Sequence, residues 1–131
     1  MSEKHATIAI ASPGARQESL RAILSAVEQL NLVATASGAL TGWQMVRDLA
    51  PALVVIEGSL PEDEVALLLH YLQANAVDAC TLVIAFTQHQ ARAALAAGAS
   101  AAVSGHDTLD DLDLVVSRLV AQRSLHRLLS G

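Results

Sequence analysis

The sequence predicts an α/β domain in which helices cover both faces of a parallel sheet. Three observations carry this expectation. Residues 52–61 read Ala-Leu-Val-Val-Ile-Glu-Gly-Ser-Leu-Pro. An unbroken apolar run that meets a carboxylate and then Gly, Ser and Pro has the form of a strand buried on both faces, with a functional loop beginning at its C-terminal tip. Apolar runs of this kind alternate along the chain with stretches whose apolar residues recur at helical spacing. The composition, 53% apolar but 2% aromatic, calls for a core of Ala, Val, Leu and Ile, which suits helices packed closely on a sheet.

In order, residues 6–12 form a short apolar run without alternation, closed by Pro13 and Gly14, and read as a central first strand. Leu20, Ile23, Leu24, Val27 and Leu30 predict a helix from Arg16 to Leu30. Residues 32–36, closed by Ser37 and Gly38, read as a second strand, and residues 40–49 as a helix with Trp43 and Val46 inward. Pro51 ends that helix and the third strand follows, so Glu57 stands at a strand tip. Glu62, Asp63 and Glu64 suit the positive end of a helix dipole, and Val65, Leu68, Leu69 and Leu72 carry that third helix to about Asn75. Residues 81–86 read as a fourth strand. Arg92 to Ala97 lie in an alanine-rich helix that stops at Gly98, a left-handed cap. Residues 101–104 form a weak fifth strand. Thr108 with Asp111 resembles a capping box that opens a long last helix, running towards Leu129.

At 131 residues the chain fits a single domain spanning 1–131, with no repeat or internal linker. A formal charge of −5 and a single lysine, Lys4, argue against nucleic-acid binding, which needs clustered cations. Cys80 is the only cysteine, which excludes an intramolecular disulfide and a Cys-based zinc site. No signal-peptide pattern and no run of about 18 apolar residues appears, so a soluble cytoplasmic protein with no membrane contact is expected.

The order of elements resembles the receiver domain of two-component response regulators, over roughly Thr7 to Val120. The most specific pieces are Leu53-Val54-Val55-Ile56-Glu57-Gly58-Ser59-Leu60-Pro61, Arg92-Ala93-Ala94-Leu95-Ala96-Ala97-Gly98-Ala99 and Ser19-Leu20-Arg21-Ala22-Ile23-Leu24, which are similar to the transcription-factor branch of that family. The resemblance implies a flavodoxin-like (βα)5 doubly wound sheet of order 2-1-3-4-5, with its site at the switch point between strands one and three. It also implies an acidic pair that holds Mg²⁺, a phospho-accepting Asp, a Ser or Thr, and a Lys. Here those positions fall on Ala11 and Ser12, on Glu57, on Ala85 (or Thr87 after a shift of register), and on Gly105; the aromatic switch position falls on Ala102.

Every position that would carry phosphoryl transfer has therefore changed. Mg²⁺ needs carboxylate oxygens to replace part of its hydration shell, and only Glu57 remains to offer them. Lys4 lies upstream of the first strand and cannot stand in at Gly105. Glu57 could mimic a phosphorylated aspartate, but without the Lys and the hydroxyl it reads better as a solvated carboxylate left in a degenerate pocket. Neither a catalytic residue, a cofactor nor a metal is expected. His89, His106 and Asp107 share the rim, yet no helical His pair fixes a zinc geometry. A hydrolase arrangement of Ser12, His106 and Asp107 lacks a nucleophile elbow. Gly14 and Gly38 form no nucleotide-binding motif.

The last helix carries more information. Leu112, Val115, Val116 and Leu119 should cover the sheet, whereas Leu125, Leu128 and Leu129 continue the stripe into an extension, residues 121–131, that serves dimerisation or linkage to an output domain. With Arg92, Arg118, Arg123, Asp110 and Asp111 these leucines outline a candidate interaction face on helix four, strand five and helix five. The expected function is that of an atypical receiver in a bacterial regulatory protein, working by phosphorylation-independent contact and homodimerisation. The alternative is a working receiver phosphorylated at or near Glu57. A ligand-binding protein or enzyme on the same scaffold has no motif in its support.

Overall fold

A computed structural model of the chain describes residues 4–75, 77–104 and 109–130. Five strands alternate with five helices: β1 (His5–Ile10), α1 (Ala15–Ser25), β2 (Leu30–Ala36), α2 (Ala39–Leu49), β3 (Leu53–Glu57), α3 (Glu62–Ala74), β4 (Cys80–Ala85), α4 (Gln88–Ala96), β5 (Ala101–Ser104) and α5 (Leu109–Ser130). All strand pairs are parallel and the order is β2-β1-β3-β4-β5, as the resemblance implies.

The sheet divides the core in two. On one face Ile8, Ile10, Val54, Ile56 and Val83 meet α2, α3 and α4 through Val46, Leu68, Leu69 and Ala94. On the other, Ala9, Leu53, Val55 and Leu82 meet α1 and α5 through Leu20, Leu24, Leu112, Val116 and Leu119. Strand residues alternate between these faces because successive side chains point opposite ways, which is why the central strands are apolar at every position. Val115 is half-buried against the second cluster, so the sheet-facing stripe of the last helix is as expected.

Several boundaries differ from the sequence expectation: β1 ends at Ile10 rather than Ser12, β4 runs from Cys80 to Ala85 rather than over 81–86, and the largest difference lies between α1 and β2. α1 stops at Ser25 rather than Leu30, and β2 begins at Leu30 rather than Leu32. The chain tightens after Ser25: Val27 N–H donates to Leu24 and Leu30 N–H to Val27, while His5 N–H takes the Gln29 carbonyl. Val27 and Leu30 are buried, so they keep an apolar spacing although they are no longer helical. Gly98 has φ +111° just past α4, the left-handed backbone expected of it. Thr108, the proposed cap of α5, lies outside the described residues.

Candidate functional site

The carboxyl ends of β1, β3 and β4 meet at one edge of the sheet, where an open parallel sheet places its ligand crevice. Glu57 is the last residue of β3 and points into this edge. It is 7% exposed, and its Oε1 has no hydrogen-bond partner among the described residues. The expectation of a solvated carboxylate is thus corrected: Glu57 is buried, in a strand tip where Gly58 N–H donates to Ile84 O at 2.8 Å and Leu60 N–H to Glu57 O at 3.2 Å.

Beside it, Ala11 is fully buried and its N–H is bonded to Ala36 O, so it presents no ligand atom. Ser12 is engaged with Ser59 twice. The Ser12 N–H donates to Ser59 Oγ at 3.1 Å, and Ser12 Oγ–H donates to the Ser59 carbonyl at 3.0 Å. This reciprocal pair ties the loop after β1 to the loop after β3, across the ground where an acidic pair would hold a cation. Gln17 adds a third tie from below, its amide donating to Ala11 O and Ala36 O at 3.3 and 3.1 Å.

A second set of bonds closes the β3 and β4 side. Thr87, the shifted hydroxyl position, is the N-cap of α4, and its Oγ1 accepts from Gln90 N–H at 3.1 Å. Gln90 Oε1 accepts from Phe86 N–H at 2.8 Å while its Nε2 reaches Gly58 O at 3.4 Å. The fit is close enough that a Cβ on Gly58 would stand 2.6 Å from Gln90 Oε1 and 3.2 Å from Phe86 N. Ala85 is buried and offers nothing polar. Arg16, from the start of α1, lies with its guanidinium 4.7 Å above the Phe86 ring. It therefore bridges the loops on either side of β3. A neighbouring cleft of about 90 Å³ between α3 and α4 is lined mainly by apolar residues such as Leu60, Val65, Val83 and Ala94, with Glu62 and Gln90 as its polar groups.

The residues predicted for this site are thus brought together, but as a set of chain-internal bonds around one buried carboxylate. Gly105, His106 and Asp107 lie outside the described residues. His89 is exposed and stands 3.7 Å from Glu62. Among the described residues no cluster of three His, Cys, Asp or Glu side chains is placed to hold a metal ion. Ser59, Gln17 and Gln90 were not singled out by sequence. Thr87-x-x-Gln90 does fit the capping-box pattern, which would have marked Gln90; Ser59 and Gln17 carry no such signal.

The candidate interaction face is dispersed. Arg92 and Arg118 are exposed, as is Asp111, and Leu125, Leu128 and Leu129 stand in solvent. Arg123 does not: its guanidinium turns back to Asp78, 3.3 Å from the carbonyl and 3.5 Å from Oδ2. The Asp110 side chain lies outside what the structure describes. Trp43 stacks on Tyr71 with ring centroids 5.9 Å apart.

No family model matches this chain, and no curated protein matches it. Solved structures do. The signal receiver domain of a NarL response regulator from Mycobacterium tuberculosis superposes with a TM-score of 0.77 at 16% identity, over 88% of this chain and 95% of that one. The isolated receiver domain of RcsB from Salmonella enterica serovar Typhimurium gives 0.75 at 15% identity, over 91% and 90%. The signal receiver domain of a LuxO repressor protein from Vibrio parahaemolyticus gives 0.80 at 13% identity, over 98% of both chains. At such identities the likeness is one of fold, and the fold of this chain is that of a response-regulator receiver domain.

Proposed function

We propose that this chain is an atypical receiver-type domain that works in bacterial regulation by contact with other proteins, without phosphorylation and without enzymatic activity. One observation carries the reading. Where a phosphoryl-accepting centre would need several ligand oxygens around a cation, the chain supplies a single buried carboxylate, Glu57, and commits its neighbour Ser12 to Ser59. A lone carboxylate replaces little of the hydration shell of Mg²⁺, and Ala11 and Ala85 contribute no polar side-chain atom. The hydroxyl of Thr87 is occupied as a helix cap.

Association falls to the C-terminal helix or to the face made by α4, β5 and α5, where exposed leucines continue past the sheet-covering part of α5. A homodimer is the simplest product. The acidic charge of −5 disfavours nucleic acid, and no described helix is long and apolar enough to cross a membrane. We place the protein in the cytoplasm.

Incubation with acetyl phosphate and Mg²⁺ followed by intact-mass measurement tests the reading: the mass should stay unchanged. The alternative, phosphorylation at or near Glu57, draws on the RcsB receiver, whose structure was obtained with the phosphomimetic BeF3⁻. It requires a Mg²⁺-dependent mass gain of one phosphoryl group that Glu57→Gln abolishes.

A further inference from the structure

The cleft between α3 and α4 is an unfilled space of about 90 Å³ beside the loop that follows Glu57. It stays open because the two helices face it with short side chains, Ala93, Ala94 and Ala97 from α4 and Ala66 from α3. An open cavity costs stability in proportion to its volume, since the lining atoms lack contacts on one side. An apolar occupant restores those contacts. An enclosed apolar cavity of about 150 Å³ takes benzene, so this smaller cleft, open at its mouth, suits a ring or branched chain of about six or seven non-hydrogen atoms.

Two polar side chains set what else the occupant carries. Gln90 spends its Oε1 on Phe86 N–H at 2.8 Å, whereas its Nε2 makes a single long contact, 3.4 Å to Gly58 O. The second amide N–H of Gln90 has no acceptor among the described residues, and Gln90 lines the cleft. Glu62 lines it too; its side chain is 59% exposed, with His89 Nε2 3.7 Å away, so a carboxylate stands at the mouth. Asp63 and Glu64 follow it in the first turn of α3. Arg92 of α4 does not line the cleft, and its guanidinium lies 3.5 Å from Gln88 Oε1. A spare donor on the wall and negative charge at the entrance favour a neutral molecule with a hydrogen-bond acceptor and disfavour an anion.

We infer that the α3–α4 cleft is a binding site for a small, neutral, mainly apolar molecule with one hydrogen-bond-accepting oxygen, of the class of phenols and short-chain alcohols. The apolar body lies against Leu60, Val65, Val83 and Ala94, and the oxygen accepts from Gln90 Nε2–H. This site is separate from association through α5, which packs on the opposite face of the sheet. Gln90 also holds Phe86 and Gly58, next to Glu57, so occupancy is read at that corner.

Phenol, neutral at neutral pH, is the probe, and benzoate, with the same ring and an anionic head, is its control. Titrated into the chain, phenol should give saturable NMR shifts at the methyl groups of Leu60, Val65, Val83 and Ala94 and at the amides of Gly58 and Phe86. A dissociation constant of the order of 1 mM is expected for a ligand of this size. Benzoate should bind at least about tenfold more weakly. Ala93→Leu fills the cleft from α4 and Ala66→Leu fills it from α3, and far-UV circular dichroism verifies both folds. Each should abolish the saturable shifts, and because the two walls are changed separately, one variant that fails to fold leaves the other to decide. Phenol shifts that do not saturate, that cluster away from the cleft, or that persist in a folded filled variant would overturn the inference. So would benzoate bound as tightly as phenol.

Discussion

At the scale of single residues, Glu57 holds a buried side-chain oxygen, Oε1, that has no hydrogen-bond partner among the described residues. A buried polar atom without a partner costs about 1–3 kcal/mol. Replacing Glu57 by Met, which keeps the length and adapts to the space, should raise the urea-unfolding free energy by an amount in that range. Ser59→Ala removes the acceptor of the Ser12 N–H and should lower it by about 1–2 kcal/mol. Opposite signs at the tip of β3 and in the loop that follows it would show that this corner is held by Ser59 and destabilised by Glu57. Cys80 gives a pH-dependent case. Burial pushes its thiol above the ordinary value of 9.0, with Arg123 pulling it down and Asp78 pushing it up. A raised folded-state value means that its contribution to stability is complete below pH 9.0 and is lost as pH climbs through the folded value. Alkylation by iodoacetamide at pH 8 should accordingly be slower in the folded chain than in urea.

Sequence exposed the position and kind of Glu57 but not its burial, because enclosure comes from bonds between loops far apart in the chain. Ser12 and Ser59 are 47 residues apart, and Gln90 and Gly58 are 32 apart; no local pattern announces such pairs.

At the scale of elements, the apolar spacing located all ten elements, and it failed where spacing and helicity part company. Val27 and Leu30 continue the rhythm of α1 into a turn and a strand, since both ends of the connection must be buried against the same face of the sheet. Ends marked by backbone chemistry were more legible. Gly98 stops α4 at φ +111°, and a Cβ there would also collide with the Gln73 side chain. Gly98→Ala should therefore destabilise the chain by about 1–3 kcal/mol, and a loss below about 0.5 kcal/mol would show that the α4–β5 turn relaxes freely. The acidic start of α3 was legible as well, though one of its roles was not: Glu64 Oε1 lies 3.5 Å from Ala39 N–H, so the α3 residue serves the start of α2.

At the scale of the whole molecule, the fold followed from the alternation of buried strands with amphipathic helices, and the structure has the expected parallel sheet and order. The site followed from its place in that fold, at the tip of β3 next to β1. What the fold could not announce is that three sets of contacts, Ser12 with Ser59, Gln90 with Phe86 and Gly58, and Arg16 over Phe86, tie the surrounding loops to one another. A receiver that switches must let such loops move between two arrangements, each biased by the phosphoryl group and its cation. Here the ties consist of the chain's own groups, and under the proposed function the domain holds one arrangement and signals through what it binds.

The most direct test of that claim is an amide NMR titration with Mg²⁺ followed by beryllofluoride, read at Ser12, Glu57, Gly58 and Ser59. If the domain holds one arrangement, these resonances do not move beyond the small uniform drift caused by ionic strength. Saturable shifts clustered at these four residues, dependent on both reagents, would contradict it and show that the pocket still accepts a phosphoryl-like group.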